Sequence, residues 1–278
     1  MIRSNVRWLS FAVAVLLTAP LGVALAGDRG PIDQDFQLSL GEFFLGTDTT
    51  VRLDGQTQQT GTEVDWESEF DIGDKDSFRV DGFWRFAERH KMRFMYFENN
   101  RSESRTLSRD IVFGDTTYPV NTNVEVGIDM RLVELVYEYA FLRHDNLELS
   151  GSFGIHTLEL SASLRGDIST PGGGGSAEVA KEGSVTGPLP VLGFHVLWHM
   201  SGNFYFDGLA QFFYIAFDNF DGRIYDSKIA ATWVPLRNVG IGIGYNQFGV
   251  KVNVDKNDFN GKLKVGYGGP MAFFTVGF

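Results

Sequence analysis

Five histidines and 35 carboxylates are the residues of this sequence most able to do chemistry. His90, His144 and His199 stand at or beside short turn-like stretches. His156 and His195 lie inside long alternating runs, on the same face as Asp81, Arg85, Arg93, Glu134, Glu138, Glu148, Asp207, Gln211 and Lys228. A His and an acid sharing one face could do general acid–base work. The one His-x-Ser pair, His199-Met200-Ser201, falls in a turn. There is no cysteine, hence no disulfide and no thiolate metal site. Asp65, Glu67, Glu69, Asp71, Asp74 and Asp76 crowd one stretch. Asp255 to Gly261 has a calcium-loop flavour, but Phe259 occupies a ligand position and the later glutamate is missing. No residue is assigned to a metal or a cofactor.

The elements that must carry these residues are strands. Phe78, Val80, Gly82, Trp84 and Phe86 alternate with Arg79, Asp81, Phe83 and Arg85. Comparable period-2 runs recur to Phe278. Ten runs are counted, each covering roughly 9–11 residues, the length of a tilted strand crossing a bilayer. Short turns alternate with longer loops. No stretch after residue 26 is long and apolar enough for a transmembrane helix. The pattern predicts an all-β, antiparallel, up-and-down transmembrane barrel of ten strands over residues 27–278. A soluble β-sandwich also alternates, but it gives no reason for Trp84, Trp198 and Trp233 to sit near the same set of turns.

Residues 1–26 read as a cleaved secretory signal peptide: Arg3 and Arg7, an apolar stretch, then Ala24-Leu25-Ala26. The remainder carries 22 basic against 35 acidic residues, a net charge of −13. That argues against a nucleic-acid partner. The Gly-rich run at 172–175 lacks the strand–loop–helix setting of a phosphate-binding loop.

With the apolar face toward lipid, the polar face lines the lumen. Glu42 joins it if the odd residues of the first strand face lipid. Two readings follow: a plug of mutually satisfied ion pairs, or a narrow channel. In three strands the apolar face then changes side. Val126, Ile128, Met130 and Leu132 share parity with the lumen residues, as do Leu158 and Leu160, and Phe248 and Val250. The pattern predicts strands that continue beyond the membrane, where water lies outside and the inside becomes apolar. That upper lumen is either a packed core or a pocket for a hydrophobic ligand.

The chain resembles the small Gram-negative outer-membrane β-barrels, broadly the OmpA/OmpW-like group. Within it, "FRVDGFWRFAERHKMRF" (Phe78 to Phe94), "FGDTTYPV" (Phe113 to Val120), "GPLPVLG" (Gly187 to Gly193) and the final "GGPMAFFTVGF" look like a proteobacterial family without assigned activity. The resemblance implies the outer membrane as location, with its lipids and lipopolysaccharide as partners. Phe274, Val276 and Phe278 resemble the signal read by the barrel-assembly machinery. The expected role is a structural barrel, a narrow channel or a hydrophobic-ligand conduit. The alternatives are an enzyme on lipid A or peptides, and an adhesin presenting its loops.

Overall fold

The computed structural model describes residues 30–55, 60–169, 176–217, 220–236, 238–256 and 259–278. The expected signal peptide, the glycine run and the tip of the calcium-like loop lie outside them. In chain order the elements are β1 (Phe36–Phe43), β2 (Gly46–Leu53), β3 (Val64–Asp65), α1 (Trp66–Phe70), β4 (Ser77–Ala87), β5 (His90–Thr106), β6 (Ile111–Phe113), β7 (Thr116–Tyr118) and β8 (Asn123–His144). The long strands β9 (Leu147–Ser169), β10 (Ser176–Ser201), β11 (Phe204–Phe217), β12 (Phe220–Leu236), β13 (Val239–Lys256) and β14 (Phe259–Gly277) follow.

The wall is one antiparallel sheet closed on itself, with the in-sheet order β1-β4-β5-β8-β9-β10-β11-β12-β13-β14 and β14 returning to β1. β1 and β2 form a single wall strand, so the wall has ten. β14 pairs with β1 from Gln37 opposite Gly277 to Phe43 opposite Met271, then with β2 from Gly46 opposite Gly268 to Leu53 opposite Gly261. The register is the same on both sides of the break. Phe44 N–H donates to Pro270 O at 3.0 Å, but Pro270 has no N–H to return, so the ladder lapses there without slipping. Phe278 completes the seam: its N–H donates to Phe36 O, its carbonyl accepts from Phe36 N, and the two rings stack at 5.9 Å.

Parity explains which face each residue takes. On β8, Val133, Leu135, Tyr139 and Phe141 point outward, while Val124, Val126, Ile128, Met130 and Leu132 are buried inside. The outward residues beyond Leu132 are Arg131, Asp129 and Glu125. The β8–β9 ladder runs unbroken from Val124–Gly166 to Ala140–Ser150, so no bulge resets the register where the apolar face changes sides. The register shifts in the wall lie instead at the short-turn ends, as at Ala140/Leu142 and His199/Ser201. β10 has 26 residues. At about 3.3 Å per residue and ~40° tilt it rises about 65 Å, well beyond a ~25 Å apolar band. Strands of this length extend well past the outward apolar band.

Glu42 corrects the conditional assignment. Leu40, Glu42 and Phe44 are exposed outside, and Ser39 and Phe43 are buried inside. Leu40 lies between Phe274 and Val80, both on the lipid face, and that pairing fixes the parity of β1. The sequence of β1 has apolar residues on both faces and could not choose.

Candidate functional site

The lumen is filled at three levels. At the short-turn end, residues 30–35 fold across the opening. Ile32 is buried, and its carbonyl accepts from Arg85 Nη2 at 3.0 Å and from Arg143 Nη2 at 3.2 Å. Arg85 Nε also donates to Gln34 O.

Above this floor lies a layer of alternating charges. Lys91 Nζ sits 2.5 Å from Glu148 and 3.1 Å from Glu138. Arg85 holds the other Glu148 oxygen at 2.8 Å, and Arg93 holds Glu138 at 3.1 Å. His195 spans Glu138 and Asp207, at 3.1 Å and 3.0 Å from its two ring nitrogens. Lys228 then joins Asp207 to Asp81, and Asp81 takes Arg79 at 2.7 Å. Arg79 Nη1 donates to Asn246, and Asn246 Nδ2 donates to Asp226 at 2.6 Å. His156 has separate partners: Gln211 at 2.7 Å and Glu134 at 3.4 Å. A buried charge is tolerable only when paired and hydrogen-bonded, and strand parity supplies the partners here. A cavity of about 50 Å³ opens beside Asp81, Arg93, His195, Asp207 and Lys228, room for a water or two.

Every polar lumen residue named from the sequence, Glu42 apart, faces inward. Arg79, Lys91 and Asp226 belong to the same layer and were not singled out. The signal existed: each shares parity with a residue that was, Arg79 with Asp81, Lys91 with Arg93, and Asp226 with Lys228.

The third level is apolar. Val126, Ile128, Met130, Leu158, Leu160, Phe248 and Val250 line the upper lumen and belong to one contiguous core. The stretch between Asp54 and Asp76 is more than a loop. Asp65 caps α1 by accepting from Ser68 N at 2.9 Å, and α1 turns Trp66 and Phe70 into the lumen. Trp66 packs on Phe70 and on Phe113 of β6, at 5.0 and 6.2 Å between ring centroids. Tyr118 of β7 donates to Leu164 O at 2.9 Å. Burial pushes its phenol up to about 12.

The acidic stretch is largely answered by an arginine ladder. Arg101 pairs with Glu67 at 2.9 Å, Arg109 with Glu69 at 2.9 Å, and Arg105 with Asp71. Glu67 also accepts from Thr49 N, while Arg101 donates to Thr47 and Thr49. This clip ties β2 to β5 above the end of β4, where the wall would otherwise be open.

No family model matches the sequence, and no curated protein does. Among solved structures, the outer membrane protease OmpT of Escherichia coli aligns over 90% of this chain and 98% of its own, with a TM-score of 0.56 and 11% identity. The fold is that of an outer-membrane β-barrel. The translocator domain of the autotransporter NalP from Neisseria meningitidis aligns at TM-score 0.44 and 8% identity, covering 97% and 96% of the two chains. The attachment invasion locus protein Ail of Yersinia pestis aligns at 0.32 and 11%, covering 87% and 98%. In an outer-membrane barrel the short turns are periplasmic. Trp84, Trp198 and Trp233, exposed near those turns, then stand at the periplasmic interface. The core residue Trp66 belongs to the opposite, external half.

Proposed function

We propose that this barrel is closed and non-conducting, and acts as a rigid structural body in the outer membrane. The observation that carries the reading is the filled lumen: a floor at residues 30–35, a charge layer, and an aromatic plug. The volume a hydrophobic ligand would need in the upper lumen is taken by Trp66, Phe70, Ile111 and Phe113. An enzymatic reading gains little support from the histidines. His156 and His195 are tied into the charge layer, and His90, His144 and His199 lie toward the periplasmic turns. Lipopolysaccharide meets the outer wall, and the assembly machinery reads Phe274, Val276 and Phe278, which alternate outward along the seam strand.

Reconstitution into planar bilayers tests the proposal. The expected record is flat at moderate voltage. Reproducible single-channel steps from the unmodified barrel would sink it.

A further inference from the structure

One part of the lumen lacks enough positive charge. Glu134 on β8, His156 on β9 and Asp226 on β12 each bring one ligand-type atom to within 4.8 Å of the other two. All three side chains are at most 1% exposed. Glu134 Oε2 makes no hydrogen bond beyond its long 3.4 Å contact with His156 Nε2, and His156 Nδ1 and Asp226 Oδ2 have no hydrogen-bond partner. Nor has the hydroxyl of Tyr267, whose ring stacks at 4.8 Å on Phe248, which in turn stacks on His156.

The neighbouring cations make their shortest contacts with other carboxylates. Arg79 meets both oxygens of Asp81 through Nε and Nη2, and its Nη1 donates to Asn246. Arg93 is 3.1 Å from Glu138 and 3.9 Å from Glu134. Two buried carboxylates, each with an under-partnered oxygen, need a compensating positive charge.

Gln211 fixes the state of the imidazole. Its Nε2 donates to Glu134 Oε1 at 3.3 Å, so its Oε1 is the atom 2.7 Å from His156 Nε2. An amide oxygen only accepts, so His156 Nε2 is the donating nitrogen, and Nδ1 is left without a partner. A ring nitrogen donating to a fixed oxygen while the other offers its lone pair is the usual support of a metal-bound histidine.

We propose that Glu134, His156 and Asp226 bind a divalent metal ion in the lumen. Two carboxylate oxygens and one imidazole nitrogen form a set suited to a transition ion such as Zn²⁺ or Mn²⁺. The ion balances both carboxylates. β8 and β12 stand four strands apart in a ten-strand wall, so the ion cross-links nearly opposite sides. The site is structural and does not depend on the barrel being closed.

The experiment is refolding of the full chain into detergent with Zn²⁺ or Mn²⁺ present, then chelating resin, then metal analysis. Folding is confirmed by the electrophoretic shift on boiling. The expected result is about one ion per folded chain, falling roughly tenfold or more in Asp226→Asn and His156→Gln. A strong chelator should lower the unfolding midpoint of the wild type and leave that of Asp226→Asn unchanged. A folded wild type that retains no metal, with an Asp226→Asn variant as stable as the wild type or more so, would overturn the proposal. It would identify a proton shared by Glu134 and Asp226. Equal metal in wild type and both variants would overturn it as well.

Discussion

Lys91 shows how burial sets the value of a single charge. Its ammonium is fully buried between Glu138 and Glu148, so Lys91→Met leaves two buried carboxylates under-compensated. The expected cost is about 3–5 kcal/mol, read as a lower urea midpoint for unfolding from detergent. Arg131→Ala is the contrast. Arg131 meets Glu159 at 2.7 Å, but both side chains are about half exposed, and the loss should be ~0–1 kcal/mol. Tyr118 gives a pH dependence. Its phenol is raised from an ordinary 10 to about 12, so the folded plug disfavours the phenolate. The stabilisation is intact below pH 10 and lost as the pH rises toward 12. A single-tryptophan variant retaining Trp66 should show an emission red shift across that window. The same variant carrying Tyr118→Phe should lack the transition.

At the scale of elements, α1 and the seam each have a specific weakness. α1 has five residues, too short to be stable by itself, and holds its place through Trp66, Phe70 and the Glu67–Arg101 clip. Trp66→Ala should cost about 3–5 kcal/mol and open the upper lumen to a fluorescent apolar dye, with the wall strands still folded. If the dye does not bind, the plug is held by β6 and β7 instead. The seam depends on close backbone approach at Gly269, where an added Cβ would stand 1.9 Å from Phe44 O. Gly269→Val should therefore impede closure beside the Pro270 lapse, seen as a reduced fraction of the fast-migrating unboiled form. The sequence could not announce α1. Its acidic residues resemble a solvated loop until Arg101 and Arg105 of β5, and Arg109 just after it, are brought alongside from some 34–40 residues away in the chain.

For the whole molecule, the band of outward apolar residues occupies only the periplasmic part of a much taller barrel. Lipids brominated near the headgroup should quench Trp84, Trp198 and Trp233 and leave Trp66 untouched. Strong quenching of Trp66 would place the external half in the bilayer and contradict the reversal of faces. The sequence by itself determined the strands, their number, and the inward side of nearly every polar residue. Alternation is a local property: once one residue of a strand faces lipid, its neighbours' sides follow from the pleat. It also showed where the apolar parity changes sides, at the loop-side end of three strands. Only the tertiary structure decided what fills the barrel. The partners of Lys91 lie 47 and 57 positions away, and Glu134, His156 and Asp226 come from three strands, two of them on nearly opposite walls. Parity says that a side chain points inward, but curvature, strand tilt and the docking of α1 decide which inward side chains meet.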